Sequence, residues 1–264
     1  MIVKGIIEQR LSTTIFSISS LSGGDINKVY LLETSKGKFV VKLNVKERYP
    51  KMLLKEAKGL KLLQQGSVNI PAVIDQFEQK DSQVIILDYI EAEAPSRQFW
   101  LRFAEDLCRL HQNSNSNFGL DHNNFIGSLV QENSTMPTWE EFFIENRLRP
   151  LIKMASDKGL LDKGEIAKFE QLFKMLHILI PAESPSLLHG DLWSGNLLCG
   201  NEQLPVFIDP AVYYGHREVD IAMTEMFGGF DPVFLSHYHE IYPLEKGWES
   251  RLEIHNLYPY LVHL

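Results

Sequence analysis

Two cysteines, Cys108 and Cys199, are all that the 264 residues hold. They stand far apart and form no CxxC pair, which disfavours a disulfide scaffold and a cysteine-based structural zinc site. A chain of this length buries enough apolar surface to need neither, and reduced thiols fit a cytoplasmic protein. No run of about 18 apolar residues occurs, so no membrane-spanning helix is expected. The first segment, MIVKGIIEQRL, is broken by Lys4, Glu8 and Arg10 and lacks the apolar core of a signal peptide. Positive charge is also scarce. With 26 Lys and Arg against 34 Asp and Glu, the net charge of −8 argues against a general nucleic-acid-binding surface. Neither an internal repeat nor a low-complexity tract is present. A composition of 44% hydrophobic and 23% charged residues excludes a mostly disordered or collagen-like chain.

What is present falls into two regions. In the first third, Val29–Leu32 and Lys38–Leu43 read as strands around a hairpin turn at Thr34-Ser35-Lys36-Gly37. Lys51–Gln65 reads as a helix with Gly66 beyond its end. Val84–Leu87 is a continuous apolar run, as in a buried central strand. Glu91-Ala92-Glu93-Ala94-Pro95 then crosses into a largely helical region. There Phe99, Phe103, Leu107 and Leu110 recur at spacings of 4, 4 and 3 residues, the signature of an amphipathic helix. Further helices are expected near Trp139–Met154 and Glu165–Leu179. Two short apolar runs follow, Leu187–Leu188 and Pro205–Ile208, each ending in a polar cluster.

Those clusters carry the chemistry. The first is His189-Gly190-Asp191-Leu192-Trp193-Ser194-Gly195-Asn196; the second is Ile208-Asp209-Pro210. Asp191 and Asn196 are 5 residues apart, and Asp191 and Asp209 are 18 apart. This is the spacing of a kinase catalytic loop followed by a strand that ends in a metal-binding aspartate. Phosphoryl transfer moves negative charge, so Mg²⁺ must bridge the phosphates of ATP. The Asp209 carboxylate and the Asn196 amide oxygen are hard ligands suited to it. A second carboxylate, Asp191, must sit beside the attacking hydroxyl and take its proton.

A kinase also needs a strand lysine on the phosphates and a helix glutamate to hold it. Phe39, Val41 and Leu43 share one face of their strand, so Lys42 points the other way beside Val40. Glu56 lies in the next helix within an apolar stripe of Leu53, Leu60 and Leu63. A carboxylate there is costly unless paired, and Lys42 is the obvious partner. Upstream, Leu21 to Tyr30 contains Gly23 and Gly24 and is placed to cover the phosphates, although it lacks a G-x-G-x-x-G pattern.

With Lys42, Glu56, HGDLWSGN at 189–196 and Asp209, the sequence resembles the kinase-like aminoglycoside phosphotransferase superfamily. More narrowly it resembles the fructosamine/ketosamine-3-kinase family. The narrower likeness rests on Asp191 to Asn196, on Phe207-Ile208-Asp209-Pro210-Ala211 with Tyr214-Gly215-His216, and on Glu225 to Phe230. Two more segments agree: Asn124-Phe125-Ile126-Gly127 with Gln131-Glu132-Asn133, and Trp139 through Phe143 to Asn146-Arg147-Leu148. The likeness spans about residue 20 to the end. It implies an α+β, two-lobed kinase-like fold. Residues 1–90 would form a small β-rich nucleotide-binding lobe with one helix, and 91–264 a larger, mainly helical catalytic and substrate-binding lobe. It also implies ATP and Mg²⁺ as cofactors, with Asp88-Tyr89-Ile90 as the connection whose backbone reads adenine. The acceptor would be the 3-hydroxyl of a fructosamine or ribulosamine, free or carried on a protein. The phosphorylated adduct then decomposes, which removes the sugar from the amine. Related chains usually continue past the apolar segment 257–264 into one more helix; the sequence stops there, either because the product is short or because the last helix is absent from this sequence. Some relatives carry a redox-active cysteine in the phosphate-covering loop; none stands at 21–30 here, so no disulfide-linked control is expected.

Several positions point to a small substrate. Gly190 stands where protein kinases have an arginine that pairs with an activation-loop phosphate. Asp209 and Glu218 stand only 9 positions apart, too close for a long phosphorylatable loop. Trp193 could stack on a sugar face or pack in the core. His216 could bind substrate or be structural. His237 and His239 read as surface residues. The competing acceptors are an aminoglycoside, choline or homoserine; a polycationic aminoglycoside would call for carboxylates such as Asp231, Glu240, Glu245, Glu249 and Glu253.

Overall fold

The alternating segments of the first third form one antiparallel sheet in the computed structural model of the chain, which describes residues 2–21 and 26–264. Helix α1 (Ile2–Leu11) precedes strands β1 (Ile15–Ser20), β2 (Lys28–Thr34) and β3 (Gly37–Val45). Helix α2 (Met52–Gln65), β4 (Val73–Gln79) and β5 (Ser82–Asp88) follow. The strand order is β1-β2-β3-β5-β4. Gly23 and Gly24 lie outside the described residues.

The pleat of β3 divides the lobe into two small cores. Val41 packs with Ile7, Ile15, Leu32, Val84 and Ile86, with Phe39 and Leu43 at the margin. On the other face, Val40 packs near Leu53, Ala57 and Leu60 of α2 and Ile85 and Leu87 of β5. Lys42 shares that second face. Strand β5 is buried from Gln83 to Leu87, because β3 and β4 flank it and both faces are covered. At one edge of the sheet, β1 buries only Ile15. At the other, β4 has no fully buried residue. Such edge strands leave little hydrophobic pattern to read.

The remainder is mainly helical. Helix α3 (Arg97–His111) is followed by the hairpin β6 (Asn124–Ile126) and β7 (Leu129–Gln131). Then come α4 (Trp139–Phe142), a π turn over Phe143–Leu148, α5 (Arg149–Asp157), α6 (Lys163–Phe173) and α7 (Leu176–Leu179). Four short strands, β8 (Ser186–Leu188), β9 (Leu197–Gly200), β10 (Leu204–Phe207) and β11 (Tyr213–Gly215), lead to α8 (Glu218–Met226) and α9 (Pro232–Ile241). The chain ends in α10 (Leu252–His255) and α11 (Leu257–His263). No helix among the described residues is long and apolar enough to cross a membrane.

The helix expected near Trp139–Met154 is thus interrupted by a π turn, which brings Asn146, Arg147 and Leu148 all inward. Arg147 is fully buried, its guanidinium 4.0 Å from the Tyr213 ring centroid and 4.5 Å from that of Phe142. The stretch 165–179 divides into α6 and α7. An Asp162–Glu165 capping box sets the start of α6 at Lys163.

Two strand pairs position the chemistry. β8 pairs with β11, and β9 with β10. The segment 189–196 therefore spans from one pair to the other, and 208–212 returns. Phe207 is wedged against Phe103 of α3 with centroids 5.7 Å apart, and Phe103 meets Phe234 of α9 at 4.9 Å. Such well-packed rings give the strand before Asp209 a rigid seat.

Candidate active site

The segment after β8 is held from beneath by a buried carboxylate. Asp220 of α8 accepts the backbone N–H of His189 at 2.8 Å and that of Gly190 at 2.9 Å. His111 Nε2 lies 3.2 Å from the same carboxylate. Gly190 has φ +81°, and a Cβ there would overlap the Ala211 carbonyl, so only glycine fits between the two functional segments. His189 is fully buried. Its Nδ1 accepts the Asp191 N–H at 3.2 Å and its Nε2 sits 2.9 Å from the Ile208 carbonyl. That pair of partners places the ring proton on Nε2, and burial lowers the pKa, so the ring stays neutral. His189 thereby fixes the loop of Asp191 to the strand end that precedes Asp209.

The Asn196 side chain donates Nδ2 to the Asp191 backbone carbonyl at 2.8 Å and to Asp191 Oδ2 at 3.0 Å. Both bonds use the amide nitrogen, which leaves its oxygen as the atom for a cation. Burial pushes the Asp191 carboxyl up to about 7; the Asn196 bond opposes this, while Asp209 and Asp220 add to it. A carboxylate near neutrality is matched to accepting a hydroxyl proton.

Asp209 turns on a left-handed backbone (φ 54°), a conformation that aspartate tolerates better than most residues. Its carboxylate contacts the Lys42 ammonium, which also donates to Glu56 Oε1 at 2.8 Å. Burial alone would lower the Lys42 pKa; Glu56 and Asp209 more than reverse this and keep it charged. The Asp209 side chain remains 46% exposed, open towards the cleft.

That cleft, of about 730 Å³, lies between the sheet and the helical region. Lys42, Glu56, Asp191, Trp193, Asn196 and Asp209 all line it. So do Asp88, Tyr89 and Ile90, where β5 leaves the sheet beside the apolar Val29, Val40, Leu198 and Ile208.

Known proteins resemble the chain over nearly its whole length. The family model described as fructosamine kinase matches residues 2–264. The chain belongs to the fructosamine kinase family. It is 38% identical over 246 residues to the "probable ketoamine kinase" of Enterococcus faecium, covering 92% of this chain and 86% of that one. It superposes on the "putative fructosamine-3-kinase" of Haemophilus somnus with a TM-score of 0.89 at 28% identity, over 98% of this chain and 88% of the other. An aminoglycoside phosphotransferase bound to AMP-PNP and hygromycin B superposes at TM-score 0.68 and 16% identity, over 99% and 91% of the two chains, which shows the shared kinase-like fold. The protein is therefore a phosphotransferase with an alcohol group as acceptor.

Trp193 is no core residue. It is 39% exposed and lines the cleft. Its ring packs edge-to-face on Phe227 at 6.1 Å and covers Gly195, where any Cβ would run into the indole. His216 is corrected. It is fully buried, does not line the cleft, stacks on His255 at 5.2 Å and faces the Pro181 carbonyl through Nε2 at 3.2 Å. Burial, with His255 alongside, lowers its pKa to about 4. The two rings close around Glu218, which Arg251 grips with Nε at 2.8 Å and Nη2 at 2.5 Å. Burial pushes that carboxyl up, but the bonds from Arg251 and His255 overcome it and hold it at about 2. Arg251 already neutralises Glu218, so His216, Glu218 and His255 form a structural knot rather than a cation site. His237 and His239 lie outside the cleft lining, as do Asp231, Glu240, Glu245, Glu249 and Glu253, which are all exposed.

Sequence reasoning missed Asp220. The signal was there: Asp220 stands among Val219, Ile221 and Ala222, a carboxylate in an apolar helix, the same cue that singled out Glu56.

Lys42 and Glu56 should behave as one unit. Removing either partner of a buried ion pair costs on the order of 3–5 kcal/mol. The double variant Lys42→Met, Glu56→Gln should lose much less activity than the sum of the two singles in free-energy terms. Fully additive losses would show that the pair is not coupled in turnover.

Proposed function

We propose that this kinase transfers the γ-phosphoryl group of ATP to the 3-hydroxyl of a ketosamine of the fructosamine or ribulosamine type. The phosphorylated adduct then decomposes and releases the amine. Residues 1–90 form the nucleotide-binding lobe and 91–264 the catalytic lobe, with the adenine reading Asp88–Ile90. The observation that carries the reading is the convergence in one cleft of Lys42, Asp191, Asn196 and Asp209, within a chain of the fructosamine kinase family.

Asn196 and Asp209 suit Mg²⁺: an exposed carboxylate that already attracts an ammonium, and an amide whose nitrogen is engaged elsewhere. A cation held by the Asn196 oxygen and the Asp209 carboxylate would supply charge neutralisation during phosphoryl transfer. The chain's own residues do the rest. Lys42 holds the phosphates. Asp191, fixed by Asn196, takes the proton of the attacking hydroxyl. Trp193 offers an aromatic face for the sugar, with Phe227 behind it. None of the acidic groups 231–253 lines the cleft, which weighs against an aminoglycoside acceptor held by them.

The test is product NMR after incubation with Mg-ATP and fructosyl-lysine, ribosyl-lysine (as the ribulosamine) or kanamycin. Phosphorus coupled to the sugar C3 proton of a ketosamine is the expected result. Phosphorylation of kanamycin alone, or of a hydroxyl other than the 3-hydroxyl, would overturn the assignment.

A further inference from the structure

Neither the β6–β7 hairpin nor the π turn after α4 carries a group that reacts, yet the hairpin binds the backbone just beyond Asp209 and the π turn braces the segment that follows the hairpin. Asn124 Nδ2 donates to the Val212 carbonyl at 2.8 Å, and Gln131 Nε2 donates to the Ala211 carbonyl at 3.0 Å. The two carboxamides are joined, since Gln131 Nε2 also donates to Asn124 Oδ1 at 2.8 Å. Asn133 Nδ2 donates to that same Asn124 oxygen at 2.8 Å, and Arg147 Nη2 donates to Asn133 Oδ1 at 2.8 Å. The Tyr258 hydroxyl donates to Gln131 Oε1 at 3.0 Å. All five residues are buried, so each amide has one orientation that satisfies its partners.

The opposite side of the same backbone is pressed by α2. Gly59 leaves only 3.3 Å between a Cβ position and Val212 Cγ2, and 3.5 Å to Pro210 Cγ. One turn earlier, the Lys55 ammonium lies 4.9 Å from the centroid of Phe125 in β6. Residues 210–212 are thus clamped between the helix that carries Glu56 and the hairpin that carries Asn124 and Gln131. Asp209 enters this clamp with a left-handed backbone (φ 54°), which persists only where its surroundings hold it.

We propose that Asn124 and Gln131 are positioning residues that, by binding the carbonyls of Val212 and Ala211, set the Asp209 carboxylate where it binds the catalytic cation. The inference rests on the reading of Asp209 as a cation ligand. It explains how a segment too short for regulatory phosphorylation is held in its working form: a buried carboxamide pair takes the place of a phosphate and its arginine. Without the amide donors two buried carbonyls lose their partners, and the strained turn at Asp209 is free to relax.

Gln131→Met keeps the length and removes the donors; Asn124→Asp keeps the shape and removes the donor to Val212. The probe is ADP binding by calorimetry, titrated with Mg²⁺ and repeated in EDTA, beside thermal melting. Residues that support a metal ligand from behind typically change metal affinity about 10–100-fold. Either folded variant should raise the Mg²⁺ concentration for half-maximal enhancement by about that factor, with EDTA binding nearly unchanged. Two results would overturn the proposal: an unaltered Mg²⁺ requirement in a folded variant, or loss of the fold in both, which is what purely structural residues give. A wild-type protein whose ADP binding ignores Mg²⁺ would instead strike the cation site itself.

Discussion

Asp209→Ala should leave no measurable turnover and should erase the effect of Mg²⁺ on nucleotide binding. Among the groups at the phosphate end of the cleft, Asp209 is the carboxylate most open to it, with Asp191 bound to Asn196 and Glu56 to Lys42. Asn196 alone offers one neutral oxygen, too little for a hard divalent cation that is held by carboxylate and phosphate oxygens. The substitution also releases Lys42 from a second carboxylate. Nucleotide binding in EDTA should therefore hold or tighten, because one negative charge beside the phosphates is gone. Melting should fall modestly, because alanine tolerates the left-handed backbone at 209 less well than aspartate and the buried Lys42 keeps only Glu56 as partner. Calorimetry with and without Mg²⁺ separates these effects, and normal turnover in Mg-ATP would show that the cation ligand lies elsewhere.

The parts of this site that were legible are those whose residue types are dictated by chemistry. On the proposed reading, a cation takes a carboxylate such as Asp209 with an amide oxygen, and a hydroxyl proton takes a carboxylate such as Asp191. Lys42 and Glu56 were legible for a different reason: strand alternation and helix periodicity fix their faces, and a charge on an apolar face demands a partner. The fold around them was readable where elements are buried, as in α2, α3 and β5. It was not readable at β1 and β4, where an edge strand exposes most of its side chains. His216 shows the limit. A histidine seven residues after Asp209 looks alike in sequence whether it faces substrate or a core, and its burial is decided by α10, which brings His255 and flanking Arg251 from 35 or more residues away. Asn124 and Gln131 were visible as segments typical of the family, but their role depends on which backbone carbonyls lie opposite, and no local pattern encodes that.

Asp191→Asn is the sharper test of mechanism, because it changes one proton acceptor and little else. The asparagine can present its oxygen to Asn196 Nδ2, so the 3.0 Å contact that orients the side chain is retained. The backbone bond from Asn196 to the carbonyl of residue 191 is untouched, and Asp220 still holds His189 and Gly190. The variant should thus bind Mg-ATP almost as the wild type does. What it cannot do is take the hydroxyl proton as the phosphoryl group arrives, a contribution worth typically about 10²–10⁴-fold. Turnover should fall by that order. The pH dependence gives a second reading. Burial places the carboxyl at about 7, and a base works only when ionised, so wild-type turnover should rise with pH and then level. A bound cation favours the ionised form and moves that rise to lower pH, while the nucleotide phosphates act in the opposite sense. The residual activity of Asp191→Asn should lack the rise altogether. Lost nucleotide binding alongside lost transfer would make Asp191 a structural or metal-holding residue, and retained transfer would remove it from the reaction; intact binding, slow transfer and a flat pH profile together mark the base.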